Sequence, residues 1–518
     1  MTRRGASGRL RALRAAIDTQ DWEAARTVLL HNWTGLVADH LEDVRAALLA
    51  FPAPTVESDP LLRAAREMFV GRGVTTRFDR VLPNDPDELD ELGTFPDAPE
   101  RLAIGTVQAS LLRFAGNMQE AADLIPLLER VAVAAVRAQP DSVTGSLPIL
   151  RLQWAITCQL AGRRDESTAL FRRANFGAEA LGMEFVVRNS AGSIALNHVL
   201  SGEIGAARTW LERWEQTRPS EGRLEQMVRV SGLVAHALVA LEDLDLDAAA
   251  DRLRALGEIR EGEELWAYAL YAHCQYALLA GKPQQGLDLV DRLRPINARW
   301  WTPDSDAQTL LGSVVVDLQC ALGRGNAARA ALAGNPSGHP LTRVSRARYA
   351  LLTGDPETAL TEAVRVAARD GHGPRARLDA LLLEAAASAR LGNPDAARAA
   401  WTRATDLAHD VGTVRPFALL PAAVAQELDE AGLALPTDRA ADADRVPIFP
   451  DRVPVVELSA REQLVLSALA DGKSVAAAAA ELFVSPNTVK SQMRSIFKKL
   501  DAHTRDEALR TAVLLELL

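Results

Sequence analysis

Cysteine, aromatic side chains, long apolar runs and enzyme signatures are all scarce in this sequence. Three cysteines in 518 residues, Cys158, Cys274 and Cys320, lie far apart and are odd in number, which argues against a disulfide framework and for reduced thiols. No run of about twenty uncharged apolar residues occurs, so no membrane span is expected. The opening MTRRGASGRLRALRAAIDTQ carries charge throughout and lacks the apolar centre of a signal peptide, so a cytoplasmic chain is expected. The sequence has no GxxxxGK[ST]; Gly281-Lys282 and Gly472-Lys473 each lack the earlier glycine of a phosphate loop. Neither GxSxG nor GxGxxG after a strand is present, and the nine histidines have no metal-ligand spacing. No catalysis, cofactor or metal is therefore expected.

What the chain does have is a globular composition: 48% apolar and 24% charged residues, with 26 prolines and 33 glycines. Its length allows two to four domains. The formal net charge is −10. From Pro454 onward eight Lys and Arg balance eight Asp and Glu, so the rest of the chain carries the whole acidic excess. Any polyanion must then be attracted by a local patch, and its binding should be salt-sensitive.

One turn phrase recurs from the first residues to about 435. A glycine ends a helix, a small residue follows five positions later, and a larger apolar residue comes four after that. The glycines are Gly116, Gly162, Gly202, Gly281, Gly323, Gly354 and Gly392. A version without glycine stands at Gln20, with Ala25 and Leu29, and a degenerate one fills 241–253. Successive anchors are 46, 40, 79, 42, 31 and 38 residues apart, the 79 being two units. A period near 40 built from helix–turn–helix units is the mark of a helical solenoid, a shape that offers extended binding surfaces. The phrase resembles tetratricopeptide repeats, in longer units. The expectation is all-α: helical hairpins over 1–82, a tetratricopeptide-like repeat region over 100–434 and a smaller domain over 455–518. Residues 52–60 and 82–99 read as proline-bearing interruptions, and 435–454 as a semi-stiff linker that separates two folded parts.

The last domain is the most informative. Ser459 and Glu462 form a capping box, Ser474 caps a short alanine-rich helix, and Ser485-Pro486 opens another after a three-residue turn. On that helix Val489, Met493, Ile496, Phe497 and Leu500 share one face, while Asn487, Lys490, Ser491, Arg494 and Lys498 share the other. No acid occurs between residues 485 and 500. Thr504 and Glu507 form a second capping box that starts a closing helix. This is a helix-turn-helix plan, with the motif at about 475–494.

The segments Leu458-Ser459-x-Arg461-Glu462, Ala470-x-Gly472-x-Ser474 and Leu482-Phe483-Val484-Ser485-Pro486-Asn487-Thr488-Val489-Lys490-Ser491 resemble the LuxR/FixJ-type DNA-binding domain. The resemblance implies double-stranded DNA as partner. Lys490, Ser491 and Arg494 would face base edges, and Asn487, Thr488, Lys498, Lys499 and Arg505 would hold phosphates. One short reader buries little surface, so a homodimer on two half-sites is expected, and the resemblance would place its contact on the closing helix; RNA polymerase is a further candidate partner. Ala478 stands where the family usually has Ile, Gln492 where it often has His and Asp501 where it has Gly, which thins the core and unsettles the left-handed helix end. The repeats, the run Val414-Arg415-Pro416-Phe417 and the closing domain together are similar to the sensor and DNA-binding parts of large LuxR-type regulators, without their ATPase module.

Trp266, Tyr268, Tyr271 and Tyr276, with Trp300 and Trp301 nearby, form the candidate effector pocket, since aromatics with polar tips suit a small molecule or peptide. The same side chains would also serve as packing between helices. Two functions remain open: a transcription regulator whose repeats sense an effector or partner, and an interaction scaffold whose DNA-binding domain localises it or is held inactive.

Overall fold

The structure is a computed structural model that describes residues 3–31, 36, 40–59, 62–63, 65–66, 82–260, 262–303, 305–369, 371–433, 447–515 and 517–518. Among the described residues there is no strand, and helices follow one another throughout. The recurring turn is the reason. All seven repeat glycines have left-handed φ, between 68° and 92°. At Gly202 the closure is plain: Glu203 N–H donates to the His198 carbonyl at 2.9 Å, which satisfies a carbonyl of the helix end. The small residues that follow, such as Ala121, Ala207, Ala359 and Ala397, are buried where the second helix meets the first. The two copies without glycine use the same backbone: Gln20 has φ 55° and Leu244 φ 59°. The repeat therefore requires a left-handed residue there, and glycine is its cheapest supplier.

The described residues divide into two compact units. The first comprises 1–240, 247–272 and 293–308. Its N-terminal hairpins, Arg3–Asp18, Trp22–His31, Leu41–Ala50 and Ala53–Ser58, close over Leu13, Leu29, Val44, Leu48 and Phe51. Helices from Pro86–Thr94 to Glu184–Ser201 then share a core that includes Leu128, Trp154, Phe171 and Ile194. The expected loop over 82–99 is in part a helix. Asp85 caps it by accepting from Asp87 N–H at 2.8 Å, Pro86 takes the first helical position, and Leu89 is buried. A proline and a cluster of acids are helix-start signals as much as loop signals. Leu224–Glu242 is long and apolar enough to cross a membrane by length and composition, but most of it is buried inside the fold, as in a core helix.

The second unit comprises 241–246, 273–292 and 309–518. Its repeats run through Pro340–Thr353, Pro356–Ala367, Pro374–Arg390 and Pro394–Val411, around Leu351, Leu381, Trp401 and Phe417. Buried among them is an ionic cluster. Arg415 and Arg375 both donate to Glu242 Oε1, at 2.9 and 2.6 Å, and the Thr413 hydroxyl donates to Glu242 Oε2 at 2.6 Å. Burial alone would raise the Glu242 carboxyl, but Arg415, Arg375 and Thr413 outweigh it and hold the group below the ordinary carboxylate range.

The expected linker differs from a free spacer. Residues 435–446 lie outside the described residues. From 447 to 459 the chain has neither helix nor strand, bends at 448, 449 and 451, and packs on the repeats of its own unit, with Ile448, Phe449 and Val453 buried. A proline-rich segment can dock when its few apolar residues find pockets, because prolines leave no N–H to satisfy.

Candidate nucleic-acid interface

Four helices build the C-terminal domain: Ala460–Ala470, Val475–Glu481, Pro486–Lys499 and Arg505–Leu514. Their starts follow the sequence signals. Ser459 and Glu462 make the reciprocal capping box, Ser474 caps Ala477 N–H at 3.2 Å, and Ser485 caps Thr488 N–H at 3.1 Å. At the closing helix only half of the second box forms. Thr504 caps Glu507 N–H at 3.1 Å, while the Glu507 carboxylate accepts from His503 N–H at 2.9 Å.

The helix Pro486–Lys499 separates its faces as the pattern requires. Val489 and Ile496 are fully buried with Leu466, Leu469 and Ala512, and Met493 and Phe497 pack partly buried against them. Asn487, Lys490, Ser491, Arg494 and Lys498 are exposed on the other side. Thr488 is half-buried, its hydroxyl 2.8 Å from that of Ser485. Ala478 and Ala479 are buried where the short helix crosses, and their small side chains permit the close contact. Asp501 keeps the left-handed helix end with φ 48°, which short polar side chains tolerate.

Two expected phosphate contacts have other partners. Lys499 Nζ donates to Glu462 Oε2 at 2.7 Å and to the Glu457 carbonyl at 2.8 Å. Arg505, half-buried, donates to the Leu469 carbonyl at the end of the first helix. Both cations bond acceptors of their own domain in this structure. The hub that Lys499 serves was only half visible in the sequence. Glu462, besides capping, accepts the Ser495 hydroxyl at 2.6 Å. The Lys499 ammonium, then the Ser495 hydroxyl and the Ser459 N–H, hold its carboxyl down to about 2. The available signal was the i,i+4 spacing of Ser495 and Lys499, which puts them on one helix face. Lys473 is likewise neutralised, by Asp471 and Glu481 at 2.9 and 2.7 Å.

The candidate effector pocket is filled by its own side chains. Trp266, Tyr268, Tyr271 and Trp300 are buried, Trp301 and Tyr276 half-buried. Tyr268 OH donates 2.8 Å from the Gln159 carbonyl and lies 2.9 Å from Asp306 Oδ2; Trp300 Nε1 donates to the Phe114 carbonyl at 3.1 Å. The Trp266 and Trp301 rings stand 5.8 Å apart. The cavity against Trp266, Tyr268 and Trp300 has a volume of about 10 Å³, room for about one water. Tyr271 and Tyr276 do not line it. The polar tips of Tyr268, Trp300 and Trp301 bond the protein itself.

Known proteins resemble this domain. Residues 456–512 match the family of bacterial regulatory proteins, luxR family. A probable transcriptional regulatory protein NarL of Mycobacterium tuberculosis is 45% identical over 56 residues, 11% of this chain and 26% of the relative. An HTH-type transcriptional activator RamA of Corynebacterium glutamicum is 48% identical over 56 residues, 11% of this chain and 20% of the relative. The chain thus spans about a quarter or less of these relatives' length, and the likeness covers its C-terminal domain. That domain is a LuxR-type helix-turn-helix domain.

Proposed function

We propose that the protein is a sequence-specific DNA-binding transcriptional regulator whose helical repeats sense an effector or protein partner. The observation that carries this reading is the acid-free face of Pro486–Lys499, where Lys490, Ser491 and Arg494 are exposed while the opposite face is packed into the domain. In this reading Lys490 and Arg494 address guanine acceptors in the major groove, and Ser491 accepts or donates to either base. Asn487, Thr488 and Lys498 hold the flanking phosphates, aided by the helix N-terminus. Lys499 and Arg505 act indirectly by fixing the helix to its scaffold.

One reading helix covers few base pairs, so a homodimer on two half-sites multiplies specificity. The closing helix is the proposed contact, since Val513 on it is 63% exposed although apolar. RNA polymerase is the proposed downstream partner, with activation as the direction, supported by the activator named among the relatives. A cytoplasmic location follows from duplex DNA as ligand.

The test is selection of duplexes by the full chain, followed by titration of the selected site. Lys490→Ala and Arg494→Ala should each weaken binding by about 1–3 kcal/mol and relax the preference at one position. Unchanged affinity in both variants would refute the assignment of the reading face.

A further inference from the structure

The segment 447–457 is seated on the repeats in a way that a passive connection does not need. Asn326 grips it with its side-chain amide: Nδ2 donates to the Val456 carbonyl at 2.9 Å, and Oδ1 accepts from Val456 N–H at 3.1 Å. Val453 N–H donates to the Leu352 carbonyl at 2.9 Å, with the Val453 side chain buried. Phe449 is fully buried, and the Arg348 guanidinium lies 5.7 Å from its ring centre. Asp451 supplies the cap that Pro421 does not give to the helix Ala422–Glu430, accepting from Ala423 N–H at 2.9 Å. Arg329 pairs with Glu457 at 2.9 Å.

Gly325 shows that the seat is shaped for this occupant. It is the first residue of the helix Gly325–Ala333, and its φ is not left-handed, so the turn does not require a glycine there. A Cβ at this position would stand 2.3 Å from the Pro454 carbonyl oxygen and 2.8 Å from Val455 Cγ2. The missing side chain is the space the strap occupies. Bonds to both backbone groups of Val456 read the chain whatever its side chains, and the burial of Phe449 and Val453 supplies selectivity. This is peptide recognition through the backbone of a segment that is neither helix nor strand, with prolines that leave fewer donors to satisfy.

We propose that this groove, built by Gly325, Asn326, Arg348 and Leu352, is a binding site for a proline-interrupted apolar peptide, occupied in cis by residues 448–457 and vacated when a peptide of the same pattern competes for it. Occupancy reaches the recognition helix directly, because Lys499 donates to the Glu457 carbonyl at the end of the strap. A docked strap ties the reading domain to the repeats of its unit, and a displaced strap leaves it on a free tether, able to adjust to half-site spacing. That last step rests on the regulator reading; the seat does not.

The test is carried out on the full chain without DNA, following backbone amide line widths of residues 460–512 by NMR. In the unaltered protein these lines should be as broad as those of the repeats. Gly325→Ala favours its own helix and should evict the strap; Val453→Asp removes an anchor from the other side. Both should sharpen the 460–512 lines several-fold while circular dichroism is unchanged. A synthetic peptide of residues 447–457 should do the same to the unaltered chain, at about millimolar concentration because it competes with a tethered copy. Sharp lines in the unaltered chain, or broad lines in both variants, would overturn the seat. Sharpening in the variants but none with the peptide would overturn the binding site and leave a fixed strap. Loss of DNA binding in a separate experiment would leave all of these results standing.

Discussion

Glu462 shows how one side chain sets the geometry of the reading helix. It caps Ser459, takes the Ser495 hydroxyl and the Lys499 ammonium, and is 4% exposed. Its carboxyl is held at about 2, against an ordinary 4.5. A group depressed on folding contributes stability that is fully present above its unfolded value and disappears as pH falls through the folded one. Protection of the 460–512 amides against hydrogen exchange, once corrected for intrinsic rates, should therefore be flat above pH 4.5 and fall from there toward 2. Glu462→Gln should reduce that slope, leaving the share of Glu507, and cost about 1–3 kcal/mol at neutral pH, since a charged acceptor of several donors is lost. Asp501 is a second residue with a readable cost. It is exposed at φ 48°, a conformation that glycine adopts without strain. Asp501→Gly should raise the stability of the same amides by up to about 1 kcal/mol, reduced by the greater freedom glycine has when unfolded.

Among the elements, the short run Val414-Arg415-Pro416-Phe417 has the most consequence for its size. Arg415 is 2% exposed and bonds Glu242, a residue 173 positions earlier in the chain. Phe417 packs edge-on against Trp401, ring centres 5.6 Å apart. Arg415→Ala would leave Glu242 buried with Arg375 as its remaining cation, and should cost about 3–5 kcal/mol. The urea midpoint followed by Trp fluorescence measures it. The sequence singled out this run without its purpose, because a pairing across so many residues leaves no local trace. Local signals were legible: the capping serines, the repeat glycines and the two faces of Pro486–Lys499 each depend on neighbours within a few residues. The aromatics around Trp266 could not be read locally, since the carbonyls that accept from Tyr268 and Trp300 lie more than a hundred residues away in the chain. Residues 447–454 were misleading, because their prolines hid the apolar anchors Phe449 and Val453.

For the whole molecule the deciding quantity is how few cations are free to meet DNA. The net charge is −10, all of it before Pro454, so the bulk of the protein opposes a polyanion at long range. In the reading domain Lys473, Lys499 and Arg505 bond acceptors of their own domain. On the recognition helix the exposed cations without a bonded partner among the described residues are Lys490, Arg494 and Lys498. If Lys490 and Arg494 read bases, Lys498 is the cation of this helix left for phosphates, with Arg461 and Arg510 exposed elsewhere in the domain. Affinity should then depend less steeply on salt than in proteins with about 6–10 phosphate contacts, each contact adding about 0.9 to the slope of log K against log salt. Lys498→Ala should lower that slope by about 1 per protomer and weaken all sequences alike. Lys490→Ala should instead change which sequences are preferred. Fluorescence anisotropy of the full chain on selected and scrambled duplexes, at several salt concentrations, separates the two effects. A slope unchanged by Lys498→Ala would take that ammonium off the phosphate backbone and shift the contact toward the N-terminal end of the helix, where Asn487 and Thr488 stand.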